Sequence, residues 1–450
     1  MPSPGSRPWV RWGLAAVAVL LLALGGTVVV ILLHSPANIS HPGLSFTRST
    51  ANRPPPRRVV INKFEWPRYG FDAGRTRFFP GAGALDPPLR VGWTYNDHVL
   101  LEFPPVIYQD TIYLVDDQGW AKAINKLSGR LVWQRRVGTL AAASPAIDVR
   151  DRLVFVPLLS TNPKAGQNPG NGRLVALSMR AGHKVWSRRV PAGTESSPLV
   201  WGPTLYFGDQ AGEVYSLRAR DGHLNWSYHA SGAVKGGPTL SHGILYFGDY
   251  AGRAYALKAD DGHEVWAVGT DGTHFGFGSG TFYSTAAVAF ERVYLGSTDG
   301  RVYSFAARTG KLAWATSTGA YVYASPAVED TPGLGPTVYI GSYDGTFYAF
   351  NARSGAVRWT HKGGGKISGA ATIVGDVVYY SDLASRTTAG LRVRTGRQVF
   401  SFPDGAFNPV ISDYQAIYLS GYQTLYQMLP ARPRNGTRAG GPVHPRSTRP

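Results

Sequence analysis

From roughly residue 105 onward, apolar and polar positions alternate in runs of five to seven residues, each closed by a Gly- or Asp-containing turn. A period of two is the signature of half-buried strands. "TLYFG" (Thr204–Gly208) alternates, "DQAG" turns, "EVYSLRA" alternates again, "RDG" turns, and "HLNWSYH" completes the set. "SSPLV" before them opens with small residues suited to a crowded axis. Four short strands joined by tight turns predict one antiparallel sheet per set. A helical period is missing outside one apolar run near the N-terminus.

The sets repeat. Tyr206–Trp226 and Tyr246–Trp266 share thirteen of twenty-one positions at a spacing of forty residues. The most faithful punctuation is a turn Gly followed by an aromatic residue four positions on. It ends at Trp133, Trp186, Trp226, Trp266, Trp314, Trp359 and Phe400, with Trp93 in "LRVGWTY" standing forty residues upstream of the first. A period near forty residues signals blades of a propeller, each unable to bury its own faces without neighbours. The chain ends in three strands without a fourth (Asn408–Met428) and begins with a fourth strand lacking the first three. Joining them closes a ring and leaves no open sheet edge. The predicted fold is therefore all-β: an eight-bladed propeller over residues 64–430, closed by its two ends, with one transmembrane helix before it.

That helix is "GLAAVAVLLLALGGTVVVILL" (Gly13–Leu33), twenty-one residues without a charge. At ~1.5 Å per residue it spans ~31 Å, the thickness of a bilayer core. Arg7 and Arg11 precede it, which predicts a cytoplasmic segment 1–12, an uncleaved anchor 13–33 and an extracytoplasmic remainder. A cleaved signal peptide is the alternative; its apolar core would be shorter, ~7–15 residues. Residues 34–63, with "NRPPPRR", read as an extended stalk, and 431–450 as a disordered basic tail.

The net charge of +18 raises the question of nucleic acid, but the termini carry 12 of those charges. A groove reader would concentrate them on its folded face, so no nucleic-acid partner is expected. With no cysteine in the chain, disulfides, thiolate metal sites and a lipidated Cys are excluded.

The repeated Ala…Gly-x-x-x-Trp pattern (Ala256, Gly262, Trp266; Ala349, Gly355, Trp359) resembles the tryptophan-docking motif of the quinoprotein, or PQQ-like, propeller superfamily. The opening "WPRYGFDAGRTRF" (Trp66–Phe78) is similar to the lead-in of quinoprotein dehydrogenases. The resemblance implies that Trp93, Trp133, Trp186, Trp226, Trp266, Trp314, Trp359 and Phe400 dock neighbouring blades. The Asp of that motif is replaced in all seven copies, by Asn125, Ser178, Arg218, Lys258, Ala306, Asn351 and Arg392. WD-type propellers are disfavoured, since no Trp-Asp dipeptide occurs. Two functions follow from the resemblance. Dehydrogenases of the superfamily hold PQQ with Ca²⁺, a catalytic Asp and a vicinal disulfide, which this chain cannot make. Others are cofactor-free scaffolds, among them a lipoprotein of the outer-membrane barrel-assembly machinery.

Candidate chemistry is sparse. Two insertions stand out, the polar Leu158–Arg173 and the aromatic Gly269–Thr285. The second, with His274, Phe275, Phe277, Phe282 and Tyr283, is the expected ligand or partner loop; a self-packed surface loop is the blander reading. His183, His223 and His263 share one repeat position and should fan apart on three blades, so no metal site is expected. Asp209, Asp249, Asp299 and Asp344 read as turn residues. No axial carboxylate is apparent, and Ser144, Ser197, Ser284, Ser325, Ser368 and Asn408 are expected to ring the axis and hold water. "GGGKIS" (Gly363–Ser368) precedes a strand, not a helix, and is rejected as a phosphate loop.

The expected function is a non-catalytic scaffold for membrane or envelope proteins, tethered by its own helix, monomeric and without a cofactor. The alternatives are a PQQ-dependent membrane dehydrogenase passing electrons to a membrane quinone, and a sensor for a small ligand or glycan.

Overall fold

The computed structural model describes residues 38–48, 66–81, 85–159, 172–270, 280–407 and 409–431. Two units divide the chain, Met1–Ile39 and Ser40–Pro450, and only Asn38 and Ile39 of the first are described. The apolar run 13–33, most of the 34–63 segment and nearly all of the tail lie outside the described residues. Among the described residues no helix is long and apolar enough to cross a membrane.

The second unit is an eight-bladed propeller of antiparallel four-stranded blades. Blade 3 is representative: Leu199–Trp201, Thr204–Gly208, Glu213–Arg218 and Leu224–His229, in order from the axis outward. Inner strands have three to five residues, as a crowded axis requires. Blade 8 takes its three inner strands from Val410–Ser412, Ile417–Ser420 and Thr424–Pro430, and its outermost strand from Leu89–Asn96. Leu89 pairs with Pro430 and Asn96 with Thr424, which is the closure that the unequal chain ends predicted. A buried Lys126–Asp413 ion pair, 2.9 Å, ties blade 1 to blade 8 at that seam.

One device joins the blades at the rim. Trp226 lies over Gly262 of the next blade, where an added Cβ would sit 2.6 Å from the ring. Its indole N–H donates to Ala259 O, 3.2 Å, and Tyr206 Oη donates to the same carbonyl, 2.9 Å. Trp133 shares Met179 O with Tyr113, Trp266 shares Ala307 O with Tyr246, Trp314 shares Ala352 O with Tyr294, and Trp359 shares Val393 O with Tyr339. A carbonyl has two lone pairs, and this one uses both. Gly262 has φ 75°, a left-handed turn that glycine adopts without strain. Phe400 occupies the place of the eighth indole because blade 8 receives its outermost strand from elsewhere in the chain. It therefore has no turn, and no turn carbonyl, between its third and fourth strands. For the same reason the buried Tyr379 hydroxyl of blade 7 finds no partner among the described residues.

The turn aspartates act locally. Asp209 accepts from the amides of Ala211 and Glu213 and from Tyr215 Oη, and Asp249 accepts from Arg253 N and Tyr255 Oη. The 34–63 segment departs from an extended stalk where it is described. Leu44 and Phe46 pack on blades 5 and 6, Arg48 pairs with Asp330, and Arg292 and Arg353 donate to Leu44 O and Pro42 O.

Candidate functional site

The axis is where the repeat breaks down. Residues Trp66–Phe79 form a belt inside the ring, and its backbone carbonyls receive one inner-strand amide after another. Trp66 O takes Ile107 N, Pro67 O takes Ile147 N, Ala73 O takes Leu240 N and Gly74 O takes Val288 N. Thr76 O, Arg77 O and Phe79 O then take Val328, Ile373 and Gly375 N. Inner strands face the axis with their ladder amides unpaired, and the belt satisfies them. Phe71, Arg75 and Arg77 hold left-handed φ values of 72°, 49° and 54°, a strained conformation for side chains of this size.

Two arginines fill the axis. Arg75, fully buried, donates to Pro238 O, Tyr69 O and Ser197 O, each at 2.8 Å. Burial, reinforced by Arg77, holds its guanidinium down to about 9, still protonated at neutral pH. Gly237 makes room for it, since a Cβ there would stand 2.9 Å from Arg75 Nη2. Arg77 donates to Arg75 O and Pro326 O and lies 4.7 Å from the centre of the Tyr69 ring. Burial raises the carboxyl of Asp72, which accepts from Thr76.

Above the belt, on the face of the blade-to-blade connections, opens a mouth of about 210 Å³. Tyr69 lines it from the belt side, and Glu102, Phe103, Tyr283, Tyr323, Tyr343 and Phe407 are among its walls. One repeat position supplies Glu102, Tyr283, Tyr323 and Ser368 to this lining. The residue four places before each inner strand is Glu102, Ala142, Glu195, Lys235, Tyr283, Tyr323, Ser368 and Ala406 in blades 1 to 8. Lys235 pairs with Glu195 at 3.0 Å and lies over the Tyr250 ring at 4.8 Å. Tyr283 meets Tyr323 edge-on at 5.6 Å, and Tyr323 meets Tyr343 at 4.8 Å. Burial first, then Asp117 and Glu195, push the Glu102 carboxyl up to about 7. Burial and Asp116 push Asp117 up to about 6.

The structure separates the residues of the aromatic loop. Tyr283 lines the mouth, but Phe282 is buried against Tyr303 and Phe305 and is a core residue. His274, Phe275 and Phe277 lie outside the described residues. The expectation of no axial carboxylate is corrected by Glu102 and Glu195, whose place in the repeat was hidden because no other blade shares their chemistry. The serine ring is corrected at two blades: in blade 5 Thr285, not Ser284, occupies the ring, and in blade 7 Ala370 does, while Ser368 lines the mouth. Thr285 Oγ1 accepts from Gly237 N, Ser325 Oγ from Thr285 N and Ser197 Oγ from Ser144 N. These hydroxyls bind one blade to the next. His183, His223 and His263 sit in corresponding turns on three blades. Asn408 is not described.

The architecture is thus a PQQ-like propeller with an aromatic, carboxylate-bearing mouth above a belt-filled axis. The PQQ_2 family model, described as outer membrane protein assembly factor BamB, matches residues 89–200, 170–402 and 325–426, and the chain belongs to that family. BamB from Moraxella catarrhalis is similar in structure, with 18% identity and a TM-score of 0.60 over 76% of this chain and 99% of that one. The quinohemoprotein alcohol dehydrogenase ADHIIG from Pseudomonas putida HK5 is also similar, with 13% identity and a TM-score of 0.67 over 87% and 82%. So is the computationally designed Ika8 protein, with 14% identity and a TM-score of 0.61 over 74% and 97%. At these identities the likeness is one of fold. No curated protein matches the chain.

Proposed function

We propose that the chain is a membrane-anchored, extracytoplasmic scaffold that binds envelope proteins through the face carrying the axial mouth, as a monomer and without catalysis. The observation that carries this reading is the axis itself, where a quinoprotein would need room and ligands for its cofactor. Here Arg75 and Arg77 occupy the centre; Arg75 spends its hydrogen bonds on three backbone carbonyls, and Arg77 gives Nη1 to two more while its Nε and Nη2 meet no acceptor among the described residues. Among the described residues no three His, Cys, Asp or Glu side chains gather to hold a metal ion. The mouth offers tyrosines and carboxylates, with Lys235 already paired to Glu195. A tricarboxylate quinone held by Ca²⁺ does not fit this donor set. The family's description as an assembly factor supports the same reading.

Tyr321, 54% exposed beside Tyr323, marks the rim where a partner would make contact. Aromatic residues at the edge of a concave face are common anchors of protein contacts. A photo-crosslinker at Tyr321 in membranes should capture one envelope protein repeatedly, and the same probe at Val357 on the outer rim should not. Calorimetry of the detergent-solubilised full chain with PQQ and Ca²⁺ is the opposing test. Stoichiometric binding with dye-linked alcohol oxidation would replace the scaffold by the dehydrogenase.

A further inference from the structure

The wedge between the outer strands of blades 1 and 2 opens into a cavity of about 360 Å³. Its walls are Arg135, Arg136, Arg173, His183, Lys184 and Ser187, over a floor that includes Val175 and Leu177. Among the described residues no carboxylate lines it. Arg173 Nη1 donates to Ser187 Oγ, Arg135 to Gln134 O and Arg136 to Gly138 O, so the guanidinium groups are held by neutral oxygens. The floor is apolar, which lowers the local dielectric and strengthens any charge placed above it.

The arrangement is peculiar to this wedge. In blade 2, Arg173 stands directly across the strand pair from Arg189. Like charges in that register destabilise a sheet. Blade 3 has Glu213 opposite His229 at the same place, joined at 2.8 Å. The wedge between blades 3 and 4 is filled by Tyr228, which stacks edge-on with Tyr255 and donates to Glu264. Blades 1 and 2 thus lack both the acid that neutralises the pair and the ring that closes the gap.

We infer that this wedge is a binding site for a phosphate-bearing anion of two or more charges. Guanidinium forks match tetrahedral oxyanions bidentately, and converging Arg and Lys side chains supply the charge that the cavity leaves unopposed. A soluble di- or polyphosphate and the phosphate headgroup of an anionic lipid offer the same chemistry.

The full chain in neutral detergent, titrated calorimetrically with pyrophosphate, should bind and should bind more weakly as NaCl is raised. R135Q/R173Q should weaken binding roughly tenfold or more, a loss of two charge-assisted contacts. R308Q, an exposed arginine on blade 5, should leave binding unchanged. R173E recreates the acid–base register of blade 3, so it should abolish binding while raising the unfolding midpoint of the ligand-free protein. That combination separates a lost site from a lost fold. Flotation with vesicles of phosphatidylglycerol, against phosphatidylcholine, tests the second source. A wild-type excess over R173E there assigns the site to headgroups, and pyrophosphate binding without that excess assigns it to a soluble phosphate. The inference is overturned if neither probe distinguishes wild type from R173E, or if R308Q weakens binding as much as R135Q/R173Q.

Discussion

The rim and the axis of this disc are built from the same repeats and obey opposite rules. At the rim, an indole, a tyrosine hydroxyl and one carbonyl recur in blade after blade with nearly the same geometry, as at Ala259, Ala307, Ala352 and Val393. At the axis, one repeat position carries Glu, Ala, Glu, Lys, Tyr, Tyr, Ser and Ala in turn. Every blade needs the same attachment to its neighbour, so the rim is uniform. The axial mouth is a single site, and its walls come unequally from the belt and from blades 1, 5, 6, 7 and 8. Regularity therefore marks stability, and its loss marks the surface available for recognition.

The largest test of that contrast is at the rim. Trp314 is fully buried, and Trp314→Ala should cost ~3–5 kcal/mol through the cavity and the lost docking contact. Chemical denaturation measures it. A loss below ~1 kcal/mol would show that the blades do not depend on this device.

At the axis, Arg75→Met should cost about 2–3 kcal/mol. The methionine removes a buried charge but leaves the carbonyls of Tyr69, Ser197 and Pro238 without their donor. Hydrogen exchange localises the effect: the amides of Leu240 and Val288, which bond the belt, should open faster than rim amides such as Ala259 N. Uniform acceleration across the disc would mean that belt and blades form one cooperative unit.

How much was legible follows the same division. The period of two, the turn glycines and the forty-residue spacing are local signals repeated many times, so the blade count and the strand closure could be read from them. The belt carries no repeat. Trp66–Phe79 looked like a family lead-in, and nothing in its own composition says that its carbonyls meet six different blades. Glu102 was equally hidden, because its meaning depends on Asp117, in a turn of its own blade, and on Glu195, which blade 3 brings near across the ring. Phe282 misled for the opposite reason. It sits among flexible-looking glycines, yet packs in the core beside Tyr283, which faces the mouth.

The mouth makes a smaller prediction with a defined sign. Glu102 holds its proton up to about 7 in the folded chain, against an ordinary value of 4.5. The folded state then binds more protons than the unfolded one between those values, so stability falls as pH rises. The contribution is fully present below the unfolded value and lost through about pH 7. Between pH 5 and 8 it amounts to about 2 kcal/mol, allowing for a partly open site. Asp117, raised to about 6, adds in the same direction. Glu102→Gln should flatten the profile in that interval, measured as urea midpoints at matched ionic strength. An unchanged slope would place the titration elsewhere.

The finest comparison sets two tyrosines at equivalent places against each other. Tyr339 Oη donates to Val393 O in the turn of blade 7, whereas Tyr379 Oη faces blade 8, which has no such turn, and is buried without a partner among the described residues. Tyr339 Oη is also bonded to Thr331 Oγ1 at 2.6 Å, so replacing Tyr339 by Phe removes two made hydrogen bonds and should destabilise by about 1–2 kcal/mol. Tyr379→Phe removes only an unsatisfied hydroxyl and should be neutral or stabilising by up to about 1 kcal/mol. The same chemical change, made forty residues apart, then acquires opposite signs because one blade is closed by a strand from the other end of the chain. Equal destabilisation by both substitutions would mean that blade 8 offers Tyr379 an acceptor after all, and that the seam copies the rim more closely than its connectivity implies.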